Sequence, residues 1–176
     1  MSCGSLSEPP HIACTVNGPG EITNAGIGIY GVETRRVVVN AVTLRGNGGG
    51  LWAGFSALSI TNVVADDNTE VGVVGDRITG SDIETNDNGD GGVLASRAVI
   101  TRLTATGNGR FGGLSQIDRL RAAKLTDSTL TGNDGFGQGY DILWNGHVRL
   151  RGTVCGKSGR VNRGAVVGTF HVCTND

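Results

Sequence analysis

Apolar and polar residues alternate along this chain in short runs, and the runs are cut at close intervals. Val37-Val38-Val39, Leu58-Ser59-Ile60 and Ala98-Val99-Ile100 are such runs. An apolar Val42, Val63, Ile83 or Leu103 stands soon after the corresponding stretch, and Gly50-Leu51, Gly72-Val73 and Gly92-Val93 open new ones. A side chain buried at every second position predicts strands of about three to five residues, and the Gly/Asn/Asp clusters between them predict tight corners. Apolar spacing of the helical kind is not sustained over a window of about ten residues.

The pattern also repeats. Asparagine recurs in similar company at Asn47, Asn68, Asn88, Asn108 and Asn133, in steps of 21, 20, 20 and 25 residues. A fixed period in this range marks a solenoid. Three short strands in each period make one rung of a right-handed parallel β-helix, with rungs stacked ~4.8 Å apart and each burying its inward side chains against its neighbours. The expected fold is therefore all-β, a parallel β-helix of about six rungs. An asparagine tolerates the left-handed backbone of a corner, and its amide can bond to its copy in the next rung, so an asparagine ladder is expected along one corner.

The expected organisation is a single domain over 1–176, with an N-terminal cap over 1–24, rungs over 25–150 and a C-terminal cap over 151–176. Glu8-Pro9-Pro10 and Asn17-Gly18-Pro19-Gly20 argue against a regular strand in the first cap. The rung leading to Asn133 is longer by five residues, and the excess is expected as a loop over 115–121. Residues 136–150, with Tyr140, Ile142 and Trp144, make the sixth rung, and 165–173 a closing strand.

Composition narrows this picture. Of 176 residues 31 are glycine and 5% are aromatic, which suits many corners around a narrow aliphatic core. A net charge of −1 gives no electrostatic case for nucleic acid or an anionic membrane. No apolar run approaches the ~20 residues that span a bilayer. The four cysteines lie only at the ends: Cys3 and Cys14, then Cys155 and Cys173. About six rungs separate those ends by ~30 Å, far beyond disulfide reach, so Cys3–Cys14 and Cys155–Cys173 are the expected pairs. Disulfide-pinned ends imply an oxidising compartment. Met1-Ser2-Cys3 leads into a polar segment, so the expectation is a secreted, extracellular or periplasmic protein in its mature form, with an added start methionine.

The Asn-centred repeat, Gly50-Leu51-Trp52-Ala53-Gly54, Ala57-Leu58-Ser59-Ile60-Thr61-Asn62, and the closing Thr153-Val154-Cys155-Gly156 and Val172-Cys173-Thr174-Asn175-Asp176 together resemble small members of the pectate-lyase-like β-helix superfamily. The resemblance covers most of the chain and concerns the fold. It implies association with carbohydrate, and it spans polysaccharide lyases, glycoside hydrolases and non-catalytic surface or phage proteins.

Three groups of residues are candidates for chemistry. Asp67 and Glu70 stand one period before Asp87 and Asp90. Stacked carboxylates repel unless solvated or bridged by a cation, and Ca2+ is the cofactor such a set would take, as the superfamily's lyases do; the plainer reading is a solvated corner. Asn86, Asn88, Asp90 and Gly91 also match the opening of an EF-hand loop, but Arg97 stands where its closing acid belongs. Asp76, Arg77, Arg97, Asp118 and Arg119 form the second group. The resemblance implies a catalytic role for a basic residue beside uronate carboxylates, yet no lysine or histidine is expected next to this set, and a surface ion-pair lattice is its alternative reading. The third group is apolar. Tyr30, Trp52, Val74, Leu94 and Leu114 fall at steps of 22, 22, 20 and 20 and are expected to face outward in one row. Such a row suits contact between copies, with a trimer favoured over a dimer, or stacking against sugar. Rungs this short leave few loops to wall a cleft. A secreted, carbohydrate-associated protein that binds polysaccharide, with lyase-like cleavage left open, is thus the leading expectation, and a non-catalytic structural, oligomeric module displayed at a cell or phage surface is the alternative.

Overall fold

The computed structural model describes residues 13–32, 34–117, 121–162 and 165–174, and of 2–3 the strand alone. Among the described residues every regular element is a strand. Parallel coils stack into a β-solenoid of about 7 turns. Gly49–Asp66, Val71–Asn86 and Gly91–Thr106 are each one extended stretch that wraps all three faces of the solenoid.

The faces follow from the register. On the first, Ile29, Leu51, Val73, Val93, Leu114 and Ile142 stand one above another. On the second, Cys14, Val37, Leu58, Ile78, Ala98, Ala123 and Val148 do so. On the third, Val42, Val63, Ile83 and Leu103 form the column. All are buried, and they make one continuous core. Strand alternation explains why the sequence shows apolar residues at every second position.

Stacked polar residues close the corner between the third face and the first. Asn68 Nδ2 donates to Asn88 Oδ1 at 2.9 Å, Asn88 Nδ2 to Asn108 Oδ1 at 3.0 Å, and Asn108 Nδ2 to Asn133 Oδ1 at 2.8 Å. Each amide also donates to a backbone carbonyl, as Asn108 does to Thr85 at 2.7 Å. The expected ladder is present, but these asparagines are not the left-handed residues. Their predecessors are: Asp67 and Asp87 have φ near +54° and +53°, and Gly46, Gly107 and Gly132 also lie in that region. The reason is directional, because the turn made one residue earlier aims the asparagine inward, where its amide is buried and paired.

The ladder ends on a carboxylate that the repeat did not announce. Asp141 is buried, and its Oδ1 accepts from Asn133 N and Nδ2 at 3.1 and 2.8 Å. Its Oδ2 accepts from Gly156 N at 2.6 Å and Lys157 N at 3.2 Å. The glycines that follow the corner answer the same ladder. A Cβ on Gly72 or Gly92 would stand 2.9 or 3.0 Å from the amide nitrogen of Asn88 or Asn108, so the ladder needs this column bare.

One expectation about the ends is revised. Ala13–Thr23 is not a cap loop but a further parallel coil against Arg36–Arg45, with Cys14 and Val16 buried. Its turn residues sit at a shift of register between Asn17 and Gly20, where the chain passes from the second face to the third. The alternation of Cys14 and Val16 carried the strand signal. The C-terminal end is capped as expected: Ser158–Asn162 pairs antiparallel with Ala165–Thr169, and Cys155 is bonded to Cys173 with Cα atoms 5.0 Å apart. Cys14 is also disulfide-bonded, while the side chain of Cys3, its expected partner, lies outside the described residues.

Among the described residues one buried side-chain hydroxyl is unsatisfied. Thr85 is fully buried between Ala65 and Ala105 in the interior of the third face, and its hydroxyl has no hydrogen-bond partner. Thr85→Val keeps the volume and removes the stranded hydroxyl, and should raise stability by about 1 kcal/mol. A urea melt reads this as a higher midpoint at unchanged slope; a lower midpoint would mean that the hydroxyl is paired.

Candidate functional site

The second face carries the candidate site on its outer side. Val37, Leu58, Ile78 and Ala98 turn inward, so the residue before each turns outward. The register stacks those residues as Arg36, Ala57, Arg77 and Arg97. Two positions further along stand Val38, Ser59, Thr79, Val99, Lys124 and Arg149. Backbones of neighbouring coils lie ~4.8 Å apart, so the row of arginines runs along the solenoid axis.

Between these side chains lies an open groove of about 570 Å³. Arg35, Arg36, Arg77 and Arg97 edge it, and Ala57, Ser59, Thr79 and Val99 supply its floor. Asp76 faces Arg77 at 3.8 Å, and it is the one described acid paired with these arginines. Arg35, Arg36 and Arg97 have no ion-pair partner among the described residues. A net charge of −1 therefore hides a segregated surface, with guanidinium groups along one face and most carboxylates elsewhere. Arginines are suited to planar oxyanions, which they grip through paired N–H donors.

Of the expected catalytic group, Arg77 and Arg97 are brought together by direct pairing, and Asp76 adjoins them. Asp118 and Arg119 lie outside the described residues. The expectation that no lysine shares this face is corrected. Val99 pairs with Lys124, which places Lys124 one coil on from Arg97 in the next outward row. His147 lies near the far end of the face, where its Nε2 accepts from Arg149 Nε at 3.1 Å. Among the described residues, what assembles is a set of cations with a single carboxylate paired to them, an arrangement that holds anionic groups. The paired carboxylates of a glycoside hydrolase are not formed here among the described residues.

The acidic group stands elsewhere, along the ladder corner. Asp67 and Asp87 occupy equivalent left-handed positions, and Asp90 N donates to the Glu70 carbonyl at 2.9 Å, so the expected stacking of the chain is present. Arg45 takes Asp67 at 3.5 Å and Asp66 at 3.3 Å, and no group of three or more acidic, cysteine or histidine side chains among the described residues is placed to hold a metal ion. The solvated-corner reading predicts a melting temperature that neither EDTA nor millimolar Ca2+ shifts, and the Ca2+ reading predicts a rise with Ca2+.

The neighbouring corner, between the second face and the third, holds the best-formed surface ion pair. Arg102 donates to both oxygens of Asp82, at 2.6 and 2.7 Å, from one coil to the next. The Arg102 hydrogen bonds, then one from Ser81, hold the Asp82 carboxyl at about 2 against its ordinary 3.8. A depressed carboxyl contributes stability above its unfolded pKa and loses it as pH falls through the folded one. That contribution is complete above pH 3.8 and fades towards about 2. Asp82→Asn should flatten this part of the acid limb in a pH series of melts while changing little at pH 7, since the pair is exposed.

The apolar row is shorter than expected. Tyr30, Trp52, Val74 and Leu94 do stack. Leu114 does not continue them: it pairs with Val93 and is fully buried, and Ser115 pairs with Leu94. The cause is one extra residue at the corner. Asn88 to Gly92 is four steps, whereas Asn108 to the equivalent Gly113 is five, so every side chain beyond it changes face relative to a simple count. Tyr30 is 41% exposed, while Val74 is 7% exposed between its neighbours.

Arg36, Ala57 and Lys124 were within reach of the sequence. Steps of 21, 20 and 20 connect Arg36, Ala57, Arg77 and Arg97, which is the period of the asparagines. Compared with family models, curated proteins and solved structures, the chain matches none.

Proposed function

We propose that this solenoid binds an acidic polysaccharide along its arginine-edged face and does not cleave it. The carrying observation is the groove in which Arg35, Arg36, Arg77 and Arg97 border a shallow floor with one carboxylate at hand. An extended row of cations fits a linear polyanion better than a compact one, because each coil repeats the same contact. A polysaccharide fits better than nucleic acid, since acids elsewhere leave the net charge at −1 and give little long-range attraction. The Cys155–Cys173 disulfide supports an extracellular or periplasmic setting for that encounter. Among the described residues the groove is open and unwalled, which favours binding over catalysis, because cleavage needs water controlled around the reacting bond.

The test is retention on immobilised protein of galacturonan, dextran sulfate, neutral dextran and a short DNA duplex. Retention of an acidic glycan in preference to neutral dextran and DNA, with the glycan's length unchanged afterwards, is expected. Shortened chains or unsaturated uronate ends would make the protein an enzyme, and preferential retention of DNA would replace the polysaccharide.

A second reading is supported by the row Tyr30, Trp52, Val74 and Leu94. An outward aromatic and aliphatic row along a rod suits side-by-side pairing of copies in closed symmetry. Light scattering at tens of micromolar distinguishes a monomer from a dimer or trimer, and Leu94→Asp should split an assembly and leave the solenoid folded.

A further inference from the structure

Among the described residues Phe55 is the most exposed large hydrophobic side chain, and it shares a left-handed backbone with one other phenylalanine, Phe136. Phe55 is 85% exposed and has φ +57°, a left-handed backbone that bulky residues avoid. Backbone strain held at a surface position is a pointer to function. The strain comes from a local insertion. Ala53 pairs with Gly75 and Ala57 with Arg77, so Gly54, Phe55 and Ser56 stand opposite Asp76 alone. The protruding turn is braced from beneath. Ser56 is buried, its hydroxyl donates to the Gly54 carbonyl at 3.2 Å, and it receives Thr34 N at 3.2 Å and lies 3.0 Å from Thr34 Oγ1. A Cβ added to Gly54 would stand 3.4 Å from Trp52 Nε1, which confines the turn from the other side.

The insertion leads directly into the groove. Two residues after Phe55 comes Ala57, and Ala57 is the gap in the arginine row, with Arg36 on the coil before it and Arg77 on the coil after. An arginine at that point would fill the floor, whereas alanine leaves a hollow with a cation on each side. A hollow flanked by guanidinium groups, two residues along the chain from an exposed aromatic side chain, matches a sugar ring that carries an acidic substituent. The ring's C–H face suits Phe55, and the acid suits arginine.

We infer that Phe55, Ala57, Arg36 and Arg77 form a seat for one anionic sugar residue, its ring against Phe55 and its carboxylate or sulfate facing the two arginines. The inference rests on the polysaccharide reading of the groove and adds to it the ring-specific contact that distinguishes a sugar from a bare polyanion.

Calorimetric titration with galacturonate oligomers, sulfated dextran oligomers and inorganic polyphosphate tests it, with circular dichroism to check folding. Phe55→Ala should weaken whichever sugar oligomer the wild type prefers by about tenfold and leave polyphosphate unchanged. The preferred oligomer identifies carboxylate or sulfate as the group recognised. Phe55→Trp should retain the affinity, and Ala57→Arg should weaken the sugar oligomer without weakening polyphosphate. If Phe55→Ala leaves sugar affinity intact, or weakens sugar and polyphosphate alike, the seat is wrong. Arg77→Ser/Arg97→Ser separates the two levels: its loss of sugar binding beside an indifferent Phe55→Ala overturns the seat and keeps the groove, and undiminished binding in it overturns both.

Discussion

Replacing Asn108 by alanine is expected to cost about 3–5 kcal/mol and to lower the melting temperature by roughly 10 °C. The side chain is fully buried and sits at the middle of the ladder. Its Oδ1 accepts both Asn88 N and Asn88 Nδ2, at 3.2 and 3.0 Å, and its Nδ2 supplies Asn133 Oδ1 and the Thr85 carbonyl. Alanine leaves the Asn88 backbone N–H and the Thr85 carbonyl without these partners in a space too dry to rehydrate them. Each stranded group costs about 1–3 kcal/mol, and the total is a large part of the 5–15 kcal/mol that holds a typical domain together. Asn108→Asp should fare no better: it keeps an acceptor for Asn88 but brings an acid against Asn133 Oδ1 and the Thr85 carbonyl. Thermal melts of both variants check this, and a shift below about 2 °C would mean that coil packing alone holds the corner.

The largest functional effect is expected from Arg77→Ser with Arg97→Ser. These residues pair directly across neighbouring coils and edge the middle of the groove. Two charge-assisted contacts at roughly 1.5 kcal/mol each predict an acidic-glycan affinity lower by about 100-fold. Both side chains point away from the core, so the melt should move little, and the double change separates binding from folding. Arg102→Ser, which removes the Asp82 pair on the adjacent corner, is the matched control and should leave glycan affinity unchanged. Equal losses in the control and the double variant would point to overall charge, not to the groove.

How much of this was legible in the sequence differs from element to element. The alternation around Val37, Leu58, Ile78 and Ala98 and the period of Asn47, Asn68, Asn88 and Asn108 are local and repeated, so coil, core and ladder could be read directly. Leu114 was misread because a corner lengthened by one residue reverses the faces, and a corner's length is set by backbone geometry that composition does not report. Asp141 was missed for a related reason: eight residues separate it from Asn133, and an acid ends a ladder otherwise made of amides. Gly18 and Pro19 signal a turn and so favour a cap over 1–24; they do turn the chain, but between two faces of one coil. Arg77 and Arg97 were found as a pair through their spacing. Arg36 was not, although the same period reaches it through Ala57, and Phe55 was not, since a bulge shows only against its shorter neighbour.

Binding of the wild-type protein to an acidic oligosaccharide across a salt series tests the central claim most directly. Affinity set by several arginines along a polyanion should fall steeply and linearly on a double-logarithmic plot as salt rises, while a neutral oligosaccharide of equal length shows no binding at any salt. A salt-independent affinity, equal binding of the neutral oligosaccharide, or no binding of either at low salt would contradict it.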